Sequence, residues 1–216
     1  MKKSICYIIG AGENYGLDFT PTSNDFVIAA DAGIRYLEQC GLTADLVIGD
    51  FDSLDNTPTH PNTMALDAEK DETDMFAAVR EGIKAGYSAF HIYCGMGGRI
   101  DHTIANIQTL AYLSQNNMQG FLFGKDIVIT AITNRKMSFN KVPSGYISVF
   151  SHTEKSEGVY LQNLKYELNN ATLTNTFPLG VSNEFIGKES SISVSDGTLL
   201  IVLPKKAFEK LVIDPV

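Results

Sequence analysis

No apolar run reaches the ~18 residues that a transmembrane helix needs, so nothing in the chain reads as spanning a membrane. Lysine and arginine nowhere cluster. There are 17 of them against 25 acidic residues, and the formal charge of −8 argues against nonspecific binding to nucleic acid or an anionic membrane, both of which want a basic face. Cysteine is scarce as well. Cys6, Cys40 and Cys94 are odd in number, scattered and mostly in apolar context, which fits reduced core residues of a cytosolic protein. The 4 histidines lie far apart, and no Cys/His spacing suits zinc. A P-loop signature is absent, and Gly10, Gly12 and Gly16 miss the spacing of a dinucleotide fingerprint. Met1-Lys2-Lys3 ahead of the run from Ile5 to Ile9 imitates a signal peptide. The run is too short, however, and breaks at Gly10-Ala11-Gly12 without a cleavage-like segment, so it reads as a first strand.

What remains is 216 residues of ordinary globular composition, enough to bury a real core in one domain or two small ones. The first part alternates strand and helix. Strands are predicted at Ser4–Ile9, Phe26–Ala30, Leu46–Ile48, Thr63–Leu66, Ala89–Cys94 and Gly120–Phe123. Helices are predicted at Ile34–Cys40, at Asp74–Ala85 with Phe76, Val79 and Ile83 on one face, and at Ile104–Leu113 with Ile104, Ile107 and Ala111 on one side. That alternation implies an open parallel sheet covered on both faces. Beyond Ile127 the helical period fades into short β-rich runs punctuated by Gly, Asn, Ser and Pro, with Asp196-Gly197 as a hairpin signal between the last two. A small antiparallel sandwich or barrel follows, and the predicted division is 1–126 and 127–216, with no low-complexity linker and no internal repeat.

Polar signals gather at the predicted carboxyl ends of parallel strands, where open α/β sheets bind ligands. Asp31 follows the second strand; Asp50 and Asp52 follow the third; Gly95, Gly97, Gly98, Arg99 and Asp101 follow the strand ending at Cys94. Two carboxylates two residues apart on extended chain point to the same side and repel, unless a hard cation such as a divalent ion sits between them. An Asp-rich turn explains the same residues without a metal. In Lys70-Asp71-Glu72-Thr73-Asp74, Asp71 or Thr73 is expected to cap a helix, while Asp74 is a candidate third metal ligand. Gly97-Gly98-Arg99 offers close backbone approach and a planar cation for phosphate, or simply a glycine-rich turn with a solvated Arg. His102 reads as a helix-start histidine, since no Ser or Cys nucleophile motif accompanies it. Together these residues point to a Mg²⁺-dependent enzyme acting on a phosphorylated substrate.

Ala30-Asp31-Ala32-Gly33, Gly49-Asp50-Phe51-Asp52-Ser53, Lys70-Asp71-Glu72-Thr73-Asp74 and Gly97-Gly98-Arg99-Ile100-Asp101-His102 stand in the order and approximate spacing of the thiamin pyrophosphokinases. Gly180-Val181-Ser182-Asn183-Glu184 and the run from Ile192 to Val202 also look like that family, so the chain resembles it over nearly its whole length. The resemblance implies an N-terminal open parallel, Rossmann-like sheet with helices on both faces and a C-terminal antiparallel β-sandwich that binds thiamin. It implies a cytoplasmic homodimer with active sites at the subunit interface. The implied reaction is Mg²⁺-dependent transfer of the pyrophosphoryl group of ATP to the hydroxyethyl group of thiamin, giving thiamin diphosphate and AMP. By the same resemblance Asp50, Asp52 and Asp74 hold Mg²⁺, and Asp31, Thr73, Arg99 and Asp101 contact the nucleotide or its phosphates. Ser195 falls where the family contacts thiamin, and Lys70 where some members carry a Gln that touches it. Ile201 matches a position where animal members stack Trp on thiamin; with no Trp in this chain, the grip on thiamin must differ.

This chemistry suits the residues. Phosphoryl-type transfer needs positioning and charge neutralisation more than a covalent nucleophile, and Arg99 supplies a cation for developing charge. Asp101 is a candidate to orient or deprotonate the attacking hydroxyl. An acidic cleft also attracts the thiazolium cation. A pterin-alcohol pyrophosphokinase, a Mg²⁺-dependent phosphohydrolase and a non-catalytic thiamin sensor are the competing readings.

Overall fold

The apolar runs of the first half become strands β1 (Cys6–Ile9), β2 (Phe26–Ala30), β3 (Leu46–Gly49), β4 (Thr63–Ala65), β5 (Ala89–Tyr93) and β6 (Gln119–Phe123). Between them lie helices α1 (Gly33–Gln39), α2 (Asp74–Lys84) and α3 (Ile100–Gln115). The computed structural model describes residues 4–51, 59–67, 69 and 71–212. Two compact units divide the chain: residues up to Thr109 with Gly120–Lys125, and Leu110–Gln119 with residues from Asp126 onward.

In the first unit the strands stand in the order β6-β5-β1-β2-β3-β4, and the neighbours from β5 to β4 pair in parallel. The chain steps outward from β1 to β4 and then crosses back to β5, so its winding reverses between β1 and β5. Every residue of β1 and β3 is buried, as expected of strands covered on both faces. On one face Cys6 and Phe90 meet α2. Gly82 lies so close that a Cβ there would stand 2.7 Å from both side chains. On the other face Phe19, from the long segment between β1 and β2, stacks on Tyr7 at 4.1 Å between ring centroids. It also lies 5.0 Å from Tyr93, which in turn stacks on Phe123 at 4.5 Å. Asp25 fastens the end of that segment, accepting hydrogen bonds at 2.8 Å from the backbone N–H of Ile5 and from both the N–H and hydroxyl of Thr22.

Helix α3 is longer than predicted, and its buried face only partly overlaps the predicted one: Ala111 is buried and Ile107 half-buried. Asn106, Thr109, Leu110 and Leu113 are buried, whereas Ile104 is 53% exposed. The reason is tertiary. Leu110 and Leu113 bring apolar area to this side, and Asn106 is satisfied there because its Nδ2 donates to Gly95 O at 2.7 Å.

The second unit contains β7 (Ile127–Thr133), β8 (Lys136–Phe139), β9 (Gly145–Ser151), β10 (Lys155–Gln162) and β11 (Leu168–Thr174). It continues with β12 (Gly180–Phe185), β13 (Ser190–Ser193), β14 (Thr198–Pro204), the short α4 (Lys205–Phe208) and β15 (Leu211–Val212). They form two antiparallel groups, β12-β9-β14-β7 and β11-β10-β13-β8-β15. Strand β9 buries Ile147 and Val149 and leaves Tyr146 exposed, the two-residue period of a half-covered strand. Phe139 of β8 meets Phe185 of β12 edge to face at 5.3 Å, joining the two groups through their cores.

One expectation fails here. Asp196-Gly197 does not close a hairpin, because β13 pairs with β8 and β10 while β14 pairs with β7 and β9. The turn's polar groups are taken by another loop: Gly197 N–H donates to Asn134 Oδ1 at 2.9 Å, and Asn134 N–H donates to Gly197 O at 3.2 Å. The turn therefore carries the chain from one sheet to the other.

Candidate active site

The reversal between β1 and β5 opens a cavity of about 530 Å³, built wholly from the first unit. Strand ends on either side of such a reversal diverge, which leaves a crevice at their carboxyl edge. Asp31, Thr73, Asp74 and Arg99 all line this cavity, as does His102. Four expected site residues, from three separate strand-to-helix connections, thus meet in one place.

Each is held by local structure. Asp31 follows β2 in left-handed backbone (φ 52°), with its N–H donating to Ile48 O at 2.8 Å. Thr73 caps α2, its hydroxyl accepting from Phe76 N–H at 3.2 Å. The predicted cap is therefore the threonine, worth about 1 kcal/mol. Asp74 opens the helix, where the N-terminal dipole favours a carboxylate, and its Oδ1 is buried in the cavity wall. Arg99 is largely exposed and clasps Asp101, with Nη2 to Oδ2 at 2.6 Å and Nε to Oδ1 at 3.3 Å. The guanidinium hydrogen bond holds the Asp101 carboxyl below its ordinary range and raises Arg99 in turn. In this arrangement Asp101 is engaged with Arg99 and does not line the cavity.

The remaining expected residues lie elsewhere. Asp50 is half-buried one place past β3 and does not line the cavity; the next residue, Phe51, is buried in left-handed backbone (φ 60°). Asp52 and Lys70 lie outside the described residues. Ser195 belongs to the second unit, exposed between β13 and β14, with its hydroxyl 3.5 Å from Gly158 O. Among the described residues no group of three His, Cys, Asp or Glu side chains is placed to hold a metal ion. The expected trio includes Asp52, which is not among them.

Sequence reasoning missed the loop after β1. Gly10-Ala11-Gly12-Glu13 forms one wall of the cavity, although its glycines fit no fingerprint. Its backbone is laced to the loop after β5: Gly10 N–H donates to Tyr93 O at 2.9 Å, Gly12 N–H to Cys94 O at 2.7 Å, and Glu13 N–H to Met96 O at 2.9 Å. Tyr36 adds a hydroxyl bond to Gly12 O at 2.9 Å. Position against the neighbouring loop explains the glycines, since a Cβ on Gly12 would stand 2.7 Å from two carbonyl oxygens. Asn106, also in the wall, was missed because its helix face was misjudged.

A parallel α/β unit with a loop-built, carboxylate-bearing crevice at its winding reversal belongs to the class of ligand-binding open-sheet proteins, and known proteins narrow the class. The model of the thiamin pyrophosphokinase catalytic domain matches residues 20–122, and that of the thiamin pyrophosphokinase vitamin B1 binding domain matches residues 134–199. The thiamine pyrophosphokinase of Bacillus subtilis (strain 168) is 28% identical over 209 residues, covering 93% of this chain and 98% of the relative. Among solved structures, the thiamine pyrophosphokinase from Bacillus subtilis superposes with a TM-score of 0.82 at 25% identity, covering 93% of this chain and 99% of that one. The thiamin pyrophosphokinase family protein from Enterococcus faecalis gives 0.80 at 25% identity, covering 94% and 99%. Yeast thiamin pyrophosphokinase shares the fold at 15% identity, with a TM-score of 0.74 over 94% of this chain and 87% of that one. The chain belongs to the thiamin pyrophosphokinase family, and it is an enzyme of that family.

Proposed function

We propose that this chain transfers the pyrophosphoryl group of ATP to the hydroxyethyl oxygen of thiamin in a Mg²⁺-dependent reaction, releasing AMP and thiamin diphosphate. The observation that carries the reading is the meeting of Asp31, Thr73, Asp74 and Arg99 in one cavity at the sheet's winding reversal, in a chain of this family. In the reaction the hydroxyethyl oxygen attacks the β-phosphorus. The bond from that phosphorus to the α,β-bridging oxygen breaks, AMP leaves, and the hydroxyl proton passes to a cavity carboxylate or solvent.

Carboxylate oxygens are hard donors and suit Mg²⁺. Asp74, with a buried oxygen in the cavity wall, and Asp50, leaving the neighbouring strand edge, fit such an ion; Asp52 would complete the set. Bound there, the ion would neutralise phosphate charge during transfer. Arg99 leaves Asp101 to take the phosphates, an exchange made cheap because both partners are exposed. Thr73 keeps the start of α2 fixed, so that Asp74 and the helix N–H groups face the ligand in a constant geometry. The first unit acts as the Rossmann-like catalytic half and the second as a β-sandwich that presents thiamin through Ser195, with Lys70 as a further thiamin contact. The working form in this reading is a cytoplasmic homodimer with active sites between subunits.

Product analysis tests the reading. Incubation with ATP, thiamin and Mg²⁺ should give AMP and thiamin diphosphate in equal amounts. Formation of ADP with thiamin monophosphate, or of orthophosphate without thiamin diphosphate, would overturn it.

A further inference from the structure

Glu13 belongs to none of the sequence motifs, yet the structure gives it a fixed place in the cavity wall. We propose that Glu13 determines nucleotide specificity: its carboxylate accepts a hydrogen bond from a neutral donor on the nucleoside, either a ribose hydroxyl or the exocyclic amino group of the base. The inference rests on the reading that this cavity takes a nucleoside triphosphate.

Three observations converge. The backbone of Glu13 is pinned to the loop after β5 by the bond from its N–H to Met96 O at 2.9 Å. Its side chain is then routed across Gly97, where a Cβ would fall 2.5 Å from Glu13 Cγ and 2.6 Å from Cδ. Gly97 has φ +83°, so neither its backbone nor its missing side chain suits another residue, and both leave room for Glu13. At the far end the Tyr15 hydroxyl donates to Glu13 Oε2 at 2.7 Å. The carboxylate is thus held from both ends, with acceptor capacity to spare on its second oxygen.

Charge decides what it meets. A carboxylate repels phosphate, so the polyphosphate goes to Arg99, two residues beyond the glycine that Glu13 covers. The group that meets Glu13 is therefore an uncharged donor on the same molecule whose anionic arm reaches Arg99. A nucleotide has both parts, and a ribose hydroxyl is a donor that open α/β sheets recognise with a carboxylate. Glycines 95 and 97 do not cradle phosphate in this arrangement. Gly95 packs against Leu122 and Asn106, and Gly97 against Glu13; only Gly98 faces open space.

The test is equilibrium binding by calorimetry of ATP, 2′-deoxy-ATP, 3′-deoxy-ATP and the purine-riboside triphosphate lacking the amino group, to the wild type, Glu13→Ala and Tyr15→Phe. The wild type should bind at least one analogue about ten- to a hundredfold more weakly than ATP, the worth of a hydrogen bond to a charged group. Glu13→Ala should lose that discrimination, binding ATP as weakly as the wild type binds that analogue, with thiamin affinity unchanged. Tyr15→Phe should lower the same ratio by a smaller factor, as expected of a positioning residue. An unchanged ATP affinity in Glu13→Ala, an equal loss for ATP and every analogue, or a loss for thiamin alone would overturn the assignment. No ATP binding by the wild type would sink the nucleotide reading itself, and this assignment with it.

Discussion

Among the described residues, left-handed backbone at residues other than glycine occurs in both units, but on different residue types. In the first unit it falls on Asp31, Phe51 and Cys94, each one or two places past the end of a parallel strand. In the second it falls on Asn117, Asn134, Asn163 and Asn170, with Ser182 at a register shift in β12. Asparagine and aspartate tolerate this conformation because their short polar side chains bond locally; bulkier residues lose about 1–2 kcal/mol. The antiparallel unit therefore turns mainly with suitable residues, Ser182 excepted, while the parallel unit keeps two strained ones, Phe51 and Cys94, past its strand ends, and Cys94 lines the cavity beside Asp31.

Two buried polar groups, one in each unit, differ in what surrounds them. Asp74 places a buried oxygen in the cavity wall, where a ligand is expected. Asn183, from the signature run Gly180–Glu184, is spent on structure. Its Nδ2 donates to Tyr166 O at 2.6 Å, and its Oδ1 accepts from Tyr166 N–H at 2.9 Å. Gly180 in the same run is required because a Cβ would stand 2.3 Å from Val149 O. The first signature lines the cavity, and the second braces the chain around Tyr166.

The largest expected effect breaks the comparison from the first unit's side. Asp74→Asn should lower pyrophosphoryl transfer by about 10²–10³-fold, the scale of losing one charged group at a transferring phosphate, with little change in the denaturant midpoint. Asn183→Ala should do the reverse. Stranding two backbone groups of Tyr166 should cost about 2–4 kcal/mol in urea unfolding, with kcat retained in the folded protein.

The third effect concerns pH. Burial among Tyr7, Phe121 and Phe123 pushes the His91 pKa down to about 4, and Asp25 opposes this only in part. The unfolded state therefore binds a proton near pH 6.5 that the folded state refuses until about pH 4. Stability is full above the unfolded value and falls between these limits, by at most ~3 kcal/mol. His91→Phe should flatten that part of the stability profile, and an unchanged slope would contradict the burial argument. Loss of the helix cap in Thr73→Ala should cost about 1 kcal/mol by denaturant unfolding. Smallest of all, Asn170→Gly in β11 should move stability by no more than about 0.5 kcal/mol, since both residues accept its positive φ.

Much of the first unit was legible because parallel strands buried on both faces leave unbroken apolar runs, and ligand residues follow them directly. Asp31 and Arg99 could be found that way, and Thr73 and Asp74 as the start of a helix. Glu13 could not. Its place depends on Gly97, remote in sequence, giving up the space for its side chain. Asn106 of α3 was hidden for a similar reason, since its hydrogen-bond partner, Gly95 O, is set by the fold and not by the helix period. In the second unit the β-rich character was legible, but sheet membership is nonlocal. The turn at Asp196-Gly197 has hairpin composition, and only its bonds to Asn134 reveal that it changes sheets. Strands β8, β12 and β15 and helix α4 are short or polar and left no periodic trace.

The most direct test of the account is AMP formation from ATP, thiamin and Mg²⁺ by the wild type and Asp74→Asn, at a temperature where both are folded. Thiamin-dependent AMP from the wild type, nearly abolished in the variant, is the predicted result. Equal rates in the two proteins would show that the cavity at the winding reversal is not where the chemistry happens.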